Sequence, residues 1–232
     1  MNAPHAPAPD PGAGESVRRD AKLRVSEIFH SIQGESTRAG LPTTFVRLTG
    51  CPLRCVWCDT EYAFTGGEAM TLADVMARVE AFGCTTVCVT GGEPLAQKAC
   101  FPLLTALCDA GCSVSLETSG ALDIAEVDER VSCIMDLKAP DSGEADRNLW
   151  ANLDHLTRSD ELKVVLASEA DYVWAKSAVV ERRLTERCPV LFSPVPGLLD
   201  PAQLADWILR DGLTVRLQLQ LHKIIWPGQR GR

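Results

Sequence analysis

Short apolar runs and stretches of helical periodicity alternate along most of this chain of 232 residues. The apolar runs are rich in β-branched and aliphatic residues, often with polar residues at every second position, which is typical of strands. The predicted strands are residues 23–29, 43–48, 87–90, 113–117, 134–138, 162–166, 190–193 and 215–222. The pattern therefore predicts a domain built around a sheet.

Between these strands, apolar residues recur at helical spacing. The clearest case is residues 72–82, which follow Thr71 as a suitable N-cap, and Gly111 provides a stop for a helix at 101–110. Further helices are predicted at 170–187 and 204–210. Strands that alternate with helices form βαβ units on a parallel sheet, so the chain is predicted to be α/β. About six or seven such strands favour a compact, incomplete (β/α) TIM-like barrel over an open sheet.

Polar segments rich in chemical groups follow several of the predicted strands. In (β/α) barrels the active site lies at the carboxyl ends of the strands and in the loops after them. The segments at these positions are a cysteine loop at 51–58, then 91–94, 117–119, 136–138 and 193–196. We therefore expect these segments to meet at one active site.

Composition limits the classes of protein to consider. A net charge of −8 argues against coating a nucleic acid, and no apolar run approaches the roughly 20 residues that cross a bilayer. Residues 1–20 are interrupted by prolines and lack an apolar signal segment, so we expect a flexible tail before a single domain at 21–232. We expect a cytoplasmic protein, whose ten cysteines are metal ligands or small buried residues rather than disulfides.

Cys51, Cys55 and Cys58 stand together within eight residues. Iron–sulfur clusters are held by thiolates, and a four-iron cluster normally takes four. Three thiolates leave one iron open to a ligand that is not protein. The alternative is structural zinc, which needs four ligands, usually as two close pairs. The other seven cysteines are dispersed along the chain, which disfavours both zinc and a second cluster.

The segment Gly91-Gly92-Glu93-Pro94 follows the third predicted strand. The two glycines permit close approach of the backbone to a ligand, and Glu93 supplies an acceptor for an ammonium group. Alone this segment has little specificity, because turns containing glycine and proline are common. Together with the cysteine loop, in this order and on these elements, it is highly specific.

The two motifs resemble those of the radical S-adenosylmethionine (radical SAM) superfamily, and the chain resembles its 7-carboxy-7-deazaguanine synthase family more narrowly. The narrower resemblance covers most of the chain after residue 20. It rests on the segments Glu27–Phe29, Ser31–Glu35, Phe45–Leu48, Cys58–Thr60, Thr90–Pro94, Glu117–Gly120, Glu161–Val165 and Gln220–Lys223. The resemblance implies a barrel of the radical SAM type with a 4Fe-4S cluster, S-adenosylmethionine and Mg²⁺.

The resemblance also implies roles for residues. The cluster would be held by Cys51, Cys55 and Cys58, and Mg²⁺ by Thr60, since magnesium prefers oxygen ligands. Residues implied at the substrate are Ile32, Gln33, Gly34, Glu35, Arg47, Thr90 and His222. Residues implied at S-adenosylmethionine are Trp57, Cys58, Asp59, Gly91, Gly92, Glu93, Glu117, Asp136, Leu137, Lys138, Ser193, Pro194, Val195 and Pro196. No catalytic residue is implied beyond the cofactor and the cluster.

The implied reaction contracts a ring. Reductive cleavage of S-adenosylmethionine yields a 5′-deoxyadenosyl radical, which takes hydrogen from C6 of 6-carboxy-5,6,7,8-tetrahydropterin before ammonia leaves. The implied partners are this small pterin, a flavodoxin- or ferredoxin-like electron donor and a second copy in a homodimer. Two features depart from the family pattern: Ser36 replaces an expected glycine, and the extension at 224–232 has no implied role.

Two alternatives belong to other classes of protein. A radical SAM activase that makes a glycyl radical on a partner protein shares the cysteine loop, but it would give no purpose to the Gln33–Glu35 and Cys58–Thr60 segments. A non-enzymatic iron–sulfur electron carrier, or a zinc-stabilised binding module, predicts a fully ligated metal and no affinity for S-adenosylmethionine. The count of three clustered cysteines disfavours this second alternative.

Overall fold

The computed structural model describes residues 22–231, within which nine strands join one sheet. The strands are β1 Lys22–Ile32, β2 Pro42–Leu48, β3 Glu68–Thr71, β4 Thr86–Gly91, β5 Ser113–Thr118, β6 Ser132–Asp136, β7 Glu161–Leu166, β8 Val190–Pro194 and β9 Arg216–Leu217. Their order is β3-β1-β2-β4-β5-β6-β7-β8-β9. The β1 strand pairs antiparallel with β2 and β3, whereas all the pairs from β2 to β9 are parallel.

All but the last of the helices bury apolar side chains in the core beside this sheet. The helices are α1 Leu72–Glu80, α2 Cys100–Asp109, α3 Glu169–Glu181, α4 Leu184–Arg187, α5 Pro201–Asp211 and α6 Leu221–Ile225. Local sequence sets several boundaries: Thr71 and Asp74 form a capping box at the start of α1, and Gly212 adopts a left-handed conformation after α5. None of these helices is long and apolar enough to cross a membrane.

The sheet does not close, because β3 and β9 lie at opposite ends of the strand order. This arrangement agrees with the predicted incomplete barrel. One core of buried aliphatic and aromatic side chains fills the space between sheet and helices, with Phe192 and Tyr172 among its largest members. The predicted tail, residues 1–20, lies outside the described part of the chain.

Two predicted elements differ in the structure. The strand predicted at 215–222 is wrong: only Arg216–Leu217 is strand, both residues are exposed, and Leu221 begins α6. The helix predicted at 170–187 is divided at Arg183, which has a φ of 53°. The connections from β5 to β6 and from β6 to β7, where no helix was predicted, consist of loops and 3-10 turns.

Parallel pairing brings the motif-bearing loops to one edge of the sheet. Leu48 at the end of β2 is paired with Gly91 at the end of β4, so the cysteine loop and the Gly-Gly segment leave the sheet side by side. Thr118 ends β5 next to β6, which ends at Asp136. The carboxyl ends of the strands therefore form the floor of one site.

Candidate active site

A cavity of about 240 Å³ lies at this edge of the sheet. It brings together most of the residues predicted from the sequence. Those in its wall are Ile32, Gln33, Gly34, Glu35, Arg47, Cys51, Cys55, Trp57, Cys58, Asp59, Thr60, Thr90, Gly91, Gly92, Glu117, Asp136, Lys138, Val195, Pro196 and His222. The predicted residues Glu93, Leu137, Ser193 and Pro194 are buried outside this wall.

The cysteine loop is fixed to the body of the protein by its backbone. Gly50 N donates to Ala63 O at 2.7 Å, and Val56 N donates to Ser142 O at 3.1 Å. All three loop cysteines are partly buried, and burial raises the pKa of the Cys51 and Cys55 thiols. Within residues 22–231, no three His, Cys, Asp or Glu side chains converge closely enough to hold a single metal ion.

Gly91 and Gly92 allow β4 to end directly against neighbouring backbone. A Cβ on Gly91 would lie 2.2 Å from Leu48 O, and one on Gly92 would lie 2.2 Å from Gly50 O and 2.9 Å from Cys51 Cβ. Any larger residue would push the cysteine loop away from the sheet. The glycines thus serve the packing of this loop, in addition to the ligand approach predicted from the sequence.

Glu93 is engaged within the protein. Its carboxylate accepts hydrogen bonds from Leu95 N at 2.9 Å, from Thr118 Oγ1 at 2.9 Å, and from Ser119 through the backbone N at 2.6 Å and through Oγ. These donors tie the end of β4 to the end of β5. Because the carboxylate is fully buried and hydrogen-bonded by these groups, the structure gives no support to its predicted contact with an ammonium group.

A chain of buried charges crosses the cavity floor. Lys163 Nζ lies 2.8 Å from Glu35 Oε2 and 3.4 Å from Asp136 Oδ1, while Lys138 Nζ lies 2.6 Å from Asp136 Oδ2. Burial alone would raise the pKa of both carboxyls. Lys163 outweighs it at Glu35, and Lys138 and Lys163 outweigh it at Asp136, so both pKa values lie below their usual range. Burial opposes the charge on Lys163 too, yet Asp136 and Glu35 raise its pKa well above its ordinary value.

Lys163 was not among the residues predicted for the site. A signal was available, because a lysine stands in the apolar strand 162–166. A buried lysine needs an anionic partner. The sequence could not show that its two partners are Glu35, in the loop after β1, and Asp136, at the end of β6, both more than twenty residues earlier in the chain.

Asp136 Oδ1 is a buried acceptor on the cavity floor. It lies in the ion pair with Lys163, but within the described residues no donor reaches it with hydrogen-bond geometry. A buried acceptor without a donor is costly unless a ligand supplies one.

Arg47 on β2 is held by one edge of its guanidinium. Its Nε donates to Glu27 Oε1 at 2.7 Å, and Tyr62 OH donates to the same oxygen at 2.8 Å. Burial would lower the pKa of Arg47, but the neighbouring Tyr62 and Glu27 raise it, and burial raises the pKa of Tyr62 to about 12. Glu27 and Tyr62 were not predicted as site residues, because their contacts depend on strand register and on the fold of the cysteine loop.

Glu117 faces the cavity from β5 with neutral partners. It accepts hydrogen bonds from Thr90 Oγ1 at 2.8 Å and from Gln33 Nε2 at 3.3 Å. Its carboxylate oxygens can also accept N–H groups of a ligand. The arrangement suits a heterocycle with several ring N–H donors.

The segment around α6 forms another wall. Leu221 N donates to Gly34 O at 3.0 Å, and a Cβ on Gly34 would lie 2.1 Å from His222 Nδ1. Lys223 Nζ lies 2.7 Å from Asp59 Oδ2; burial would raise the pKa of Asp59, but Lys223 outweighs it and lowers this pKa. The structure thus places His222 beside the cavity and engages Asp59 with the protein's own lysine.

The residues present fit a 4Fe-4S cluster with S-adenosylmethionine. The three cysteines of the loop line one cavity, as a cluster with one open iron requires, and Asp136 lies in the same wall with one oxygen that accepts no hydrogen bond from residues 22–231. For Mg²⁺ the support is narrower, because it rests on Thr60 alone, whose Oγ1 lies 3.7 Å from Cys58 Sγ.

Comparisons with known proteins agree with this site. The Radical SAM superfamily matches residues 45–137, which contain both motifs. The 7-carboxy-7-deazaguanine synthase of Chlorobaculum tepidum is 52% identical over 216 residues, covering 91% of this chain and 98% of that protein. The protein of the same name from Koribacter versatilis is 42% identical, covering 88% and 97%.

Among solved structures, QueE from Escherichia coli superposes with a TM-score of 0.75 at 20% identity, covering 91% of this chain and 99% of that one. At this identity the likeness shows the fold, and it confirms the predicted incomplete barrel. The matches in sequence support the predicted family over the activase and the electron carrier. The chain belongs to the 7-carboxy-7-deazaguanine synthase family of radical SAM enzymes.

Proposed function

We propose that the protein converts 6-carboxy-5,6,7,8-tetrahydropterin to 7-carboxy-7-deazaguanine with loss of ammonia. One observation carries the proposal: the three-cysteine loop opens on the same cavity as Arg47 and Glu117. The cavity therefore offers a cationic group for a carboxylate and an anionic group for ring N–H donors, both beside the site for the cluster. The identity of 52% to a synthase supports the same substrate.

Cys51, Cys55 and Cys58 would hold the 4Fe-4S cluster. When bound, the reduced cluster and S-adenosylmethionine supply the radical chemistry that starts the rearrangement. The work of the protein is to place the substrate and to keep water out. Lys138 and Asp136 line the same cavity as the cluster loop, and Asp136 would accept a hydrogen bond from the cofactor there.

The substrate would lie between two recognition groups. A guanidinium pairs well with a carboxylate, so Arg47 would bind the 6-carboxylate through its terminal amino groups. Glu117, oriented by Thr90 and Gln33, would accept N–H groups of the pterin ring. His222 and the backbone of Ile32–Glu35 would enclose the opposite side of the ring.

We expect activity to depend on Mg²⁺ through Thr60. Magnesium prefers oxygen ligands, so the Thr60 hydroxyl and the substrate carboxylate would share the ion. Thr60→Val keeps the shape but removes the hydroxyl, and it should raise the Mg²⁺ concentration for half-maximal activity by about tenfold. Thr60→Ser keeps the hydroxyl and serves as the matched control. Full activity after treatment with a chelator would exclude the magnesium site.

The test of the proposed function is anaerobic. The reconstituted enzyme is reduced chemically and incubated with S-adenosylmethionine, Mg²⁺ and 6-carboxytetrahydropterin, and the products are followed by mass spectrometry. We expect 7-carboxy-7-deazaguanine together with ammonia. Formation of 5′-deoxyadenosine without 7-carboxy-7-deazaguanine would refute the proposed substrate but would still support radical SAM chemistry.

Three further proposals have narrower support. The first is a cytoplasmic location, because all ten cysteines are free, as expected of a protein in a reducing compartment. Val56, 71% exposed, lies on the cysteine loop, where a flavodoxin- or ferredoxin-like donor would approach the cluster. Ile224 and Ile225 are exposed on α6 and would suit the face of a homodimer. Light scattering on the purified protein tests the homodimer.

A further inference from the structure

The contact between Glu27 and Arg47 uses only part of the guanidinium. The ion pair runs through Nε alone, at 2.7 Å, and among residues 22–231 no acceptor hydrogen-bonds to either terminal amino group. Arg47 lines the cavity, and its side chain is 15% exposed. A guanidinium has five N–H donors in a planar fork, so one edge can be held while another binds a second carboxylate.

A β-bulge places Glu27 opposite Arg47. Val25 is paired with Leu48, but the register then shifts, and Glu27 is paired with Arg47 where a regular ladder would pair Ser26. Bulges commonly re-aim a side chain next to an active site. The irregularity here puts a carboxylate, instead of a hydroxyl, against the Nε edge.

Tyr62 connects this pair to the cysteine loop. It lies on the 3-10 turn Glu61–Ala63, which follows Cys58 and Thr60, and its hydroxyl donates to Glu27 Oε1 at 2.8 Å. The guanidinium of Arg230, near the C-terminus, stacks on the ring of Tyr62, with its Cζ 4.4 Å from the ring centroid. The carboxylate of Glu27 is therefore fixed by β2, by the cysteine loop and, indirectly, by the C-terminal segment.

We propose that Glu27 and Tyr62 are positioning residues for Arg47: together they hold its Nε edge so that its terminal amino groups face the place of the substrate carboxylate. The inference rests on the proposed function, because it assumes that Arg47 binds that carboxylate. The shared oxygen of Glu27 orients the guanidinium relative to the cluster loop. Selection of a carboxylated pterin then depends on residues that do not touch the substrate.

The test compares two ligands in the reconstituted holoenzyme. The KM for 6-carboxytetrahydropterin and the inhibition constant of tetrahydropterin, which lacks the carboxylate, are measured for Glu27→Ala, Glu27→Gln and Tyr62→Phe. Glu27→Ala should raise the KM by about tenfold, while Glu27→Gln, which keeps an acceptor for Nε, should raise it by about threefold. Tyr62→Phe should resemble Glu27→Gln, and the inhibition constant of tetrahydropterin should stay unchanged.

A matched control exists outside the cavity. Tyr172 OH donates to Asp211 Oδ2 at 2.7 Å, and Lys176 Nζ lies 2.9 Å from the same oxygen. A phenol, a carboxylate and a cationic side chain therefore meet there, as they do at Tyr62, Glu27 and Arg47. Asp211→Asn and Tyr172→Phe should lower thermal stability without changing the KM. The electron paramagnetic resonance signal of the reduced cluster with S-adenosylmethionine should remain as in the wild type in all these variants.

The outcomes separate the inference from the proposed function. If the wild type forms no 7-carboxy-7-deazaguanine, the proposed function fails. If the wild type is active and Glu27→Ala, correctly folded, keeps the wild-type KM, the positioning role is refuted. If Glu27→Ala raises the KM for 6-carboxytetrahydropterin and the inhibition constant of tetrahydropterin by the same factor, Glu27 supports only the fold of this wall, and the inference is likewise overturned.

Discussion

Replacing Cys55 by alanine is expected to reduce formation of 7-carboxy-7-deazaguanine by about a thousandfold or more. The chain offers three thiols at the cluster site, so the loss of one leaves two, which cannot hold a 4Fe-4S cluster stably. The fold should survive, because Cys55 is only partly buried and the loop is held through backbone contacts at Gly50 and Val56. Iron analysis, visible absorption and product formation after reconstitution measure the effect.

Cys112→Ala is the matched control for this prediction. Cys112 is also partly buried but lies before β5, outside the cysteine loop. It should keep the iron content and activity of the wild type. A Cys55→Ala enzyme that retains both iron and activity would show that the cluster is held elsewhere.

Most of the sheet was predictable because its signals are local. The strands from β4 to β8 are short apolar runs bounded by polar residues, and their parallel pairing follows from the helices or long connections between them. The prediction of a final strand at 215–222 is wrong for a physical reason. Leu217, Leu219 and Leu221 alternate as in a strand, but within residues 22–231 no further strand pairs with β9 on its outer side, and α6 forms instead.

The residues of the site likewise divide into those with a local signal in the sequence and those without one. Cys51, Gly91 and Thr60 were predicted because each stands in a short motif whose spacing is specific. Glu27 and Lys163 stand in segments that carry the resemblance, but no site role was implied for either, and their roles come from partners distant in sequence. Glu93 was in a motif, yet its side chain is engaged by Thr118 and Ser119. A motif therefore predicts where a residue lies better than it predicts which group the side chain contacts.

Replacing Lys163 by methionine is expected to destabilise the protein by about 3 kcal/mol near pH 8 and to abolish activity. Methionine fills the volume but leaves Glu35 and the Oδ1 of Asp136 without their buried cation. Lys138 still pairs with Asp136, so the effect should fall mainly on Glu35, whose remaining partner is Gln220 at 2.6 Å. Urea unfolding followed by circular dichroism measures the free energy of unfolding.

The pH dependence gives a sharper test of the same prediction. In the wild type the pKa values of Glu35 and Asp136 are lowered and that of Lys163 is raised, so their stabilisation should hold from about pH 5 to pH 10 and be lost outside this window. In Lys163→Met, burial dominates and the pKa of Glu35 should rise above its unfolded value. The folded variant then binds more protons than the unfolded chain, so its stability increases as pH falls from 8 to 5.

Lys176→Met separates this effect from the general loss of a positive charge. Lys176 pairs with Asp211, but its side chain is 41% exposed, so its removal should change stability by less than about 1 kcal/mol. The difference between the two variants should be largest at pH 8 and should shrink toward pH 5, because only Lys163 leaves a buried carboxylate that protonation can relieve. Equal losses at both pH values would mean that Lys163 stabilises the cavity floor by packing, with Glu35 and Asp136 accommodated without it.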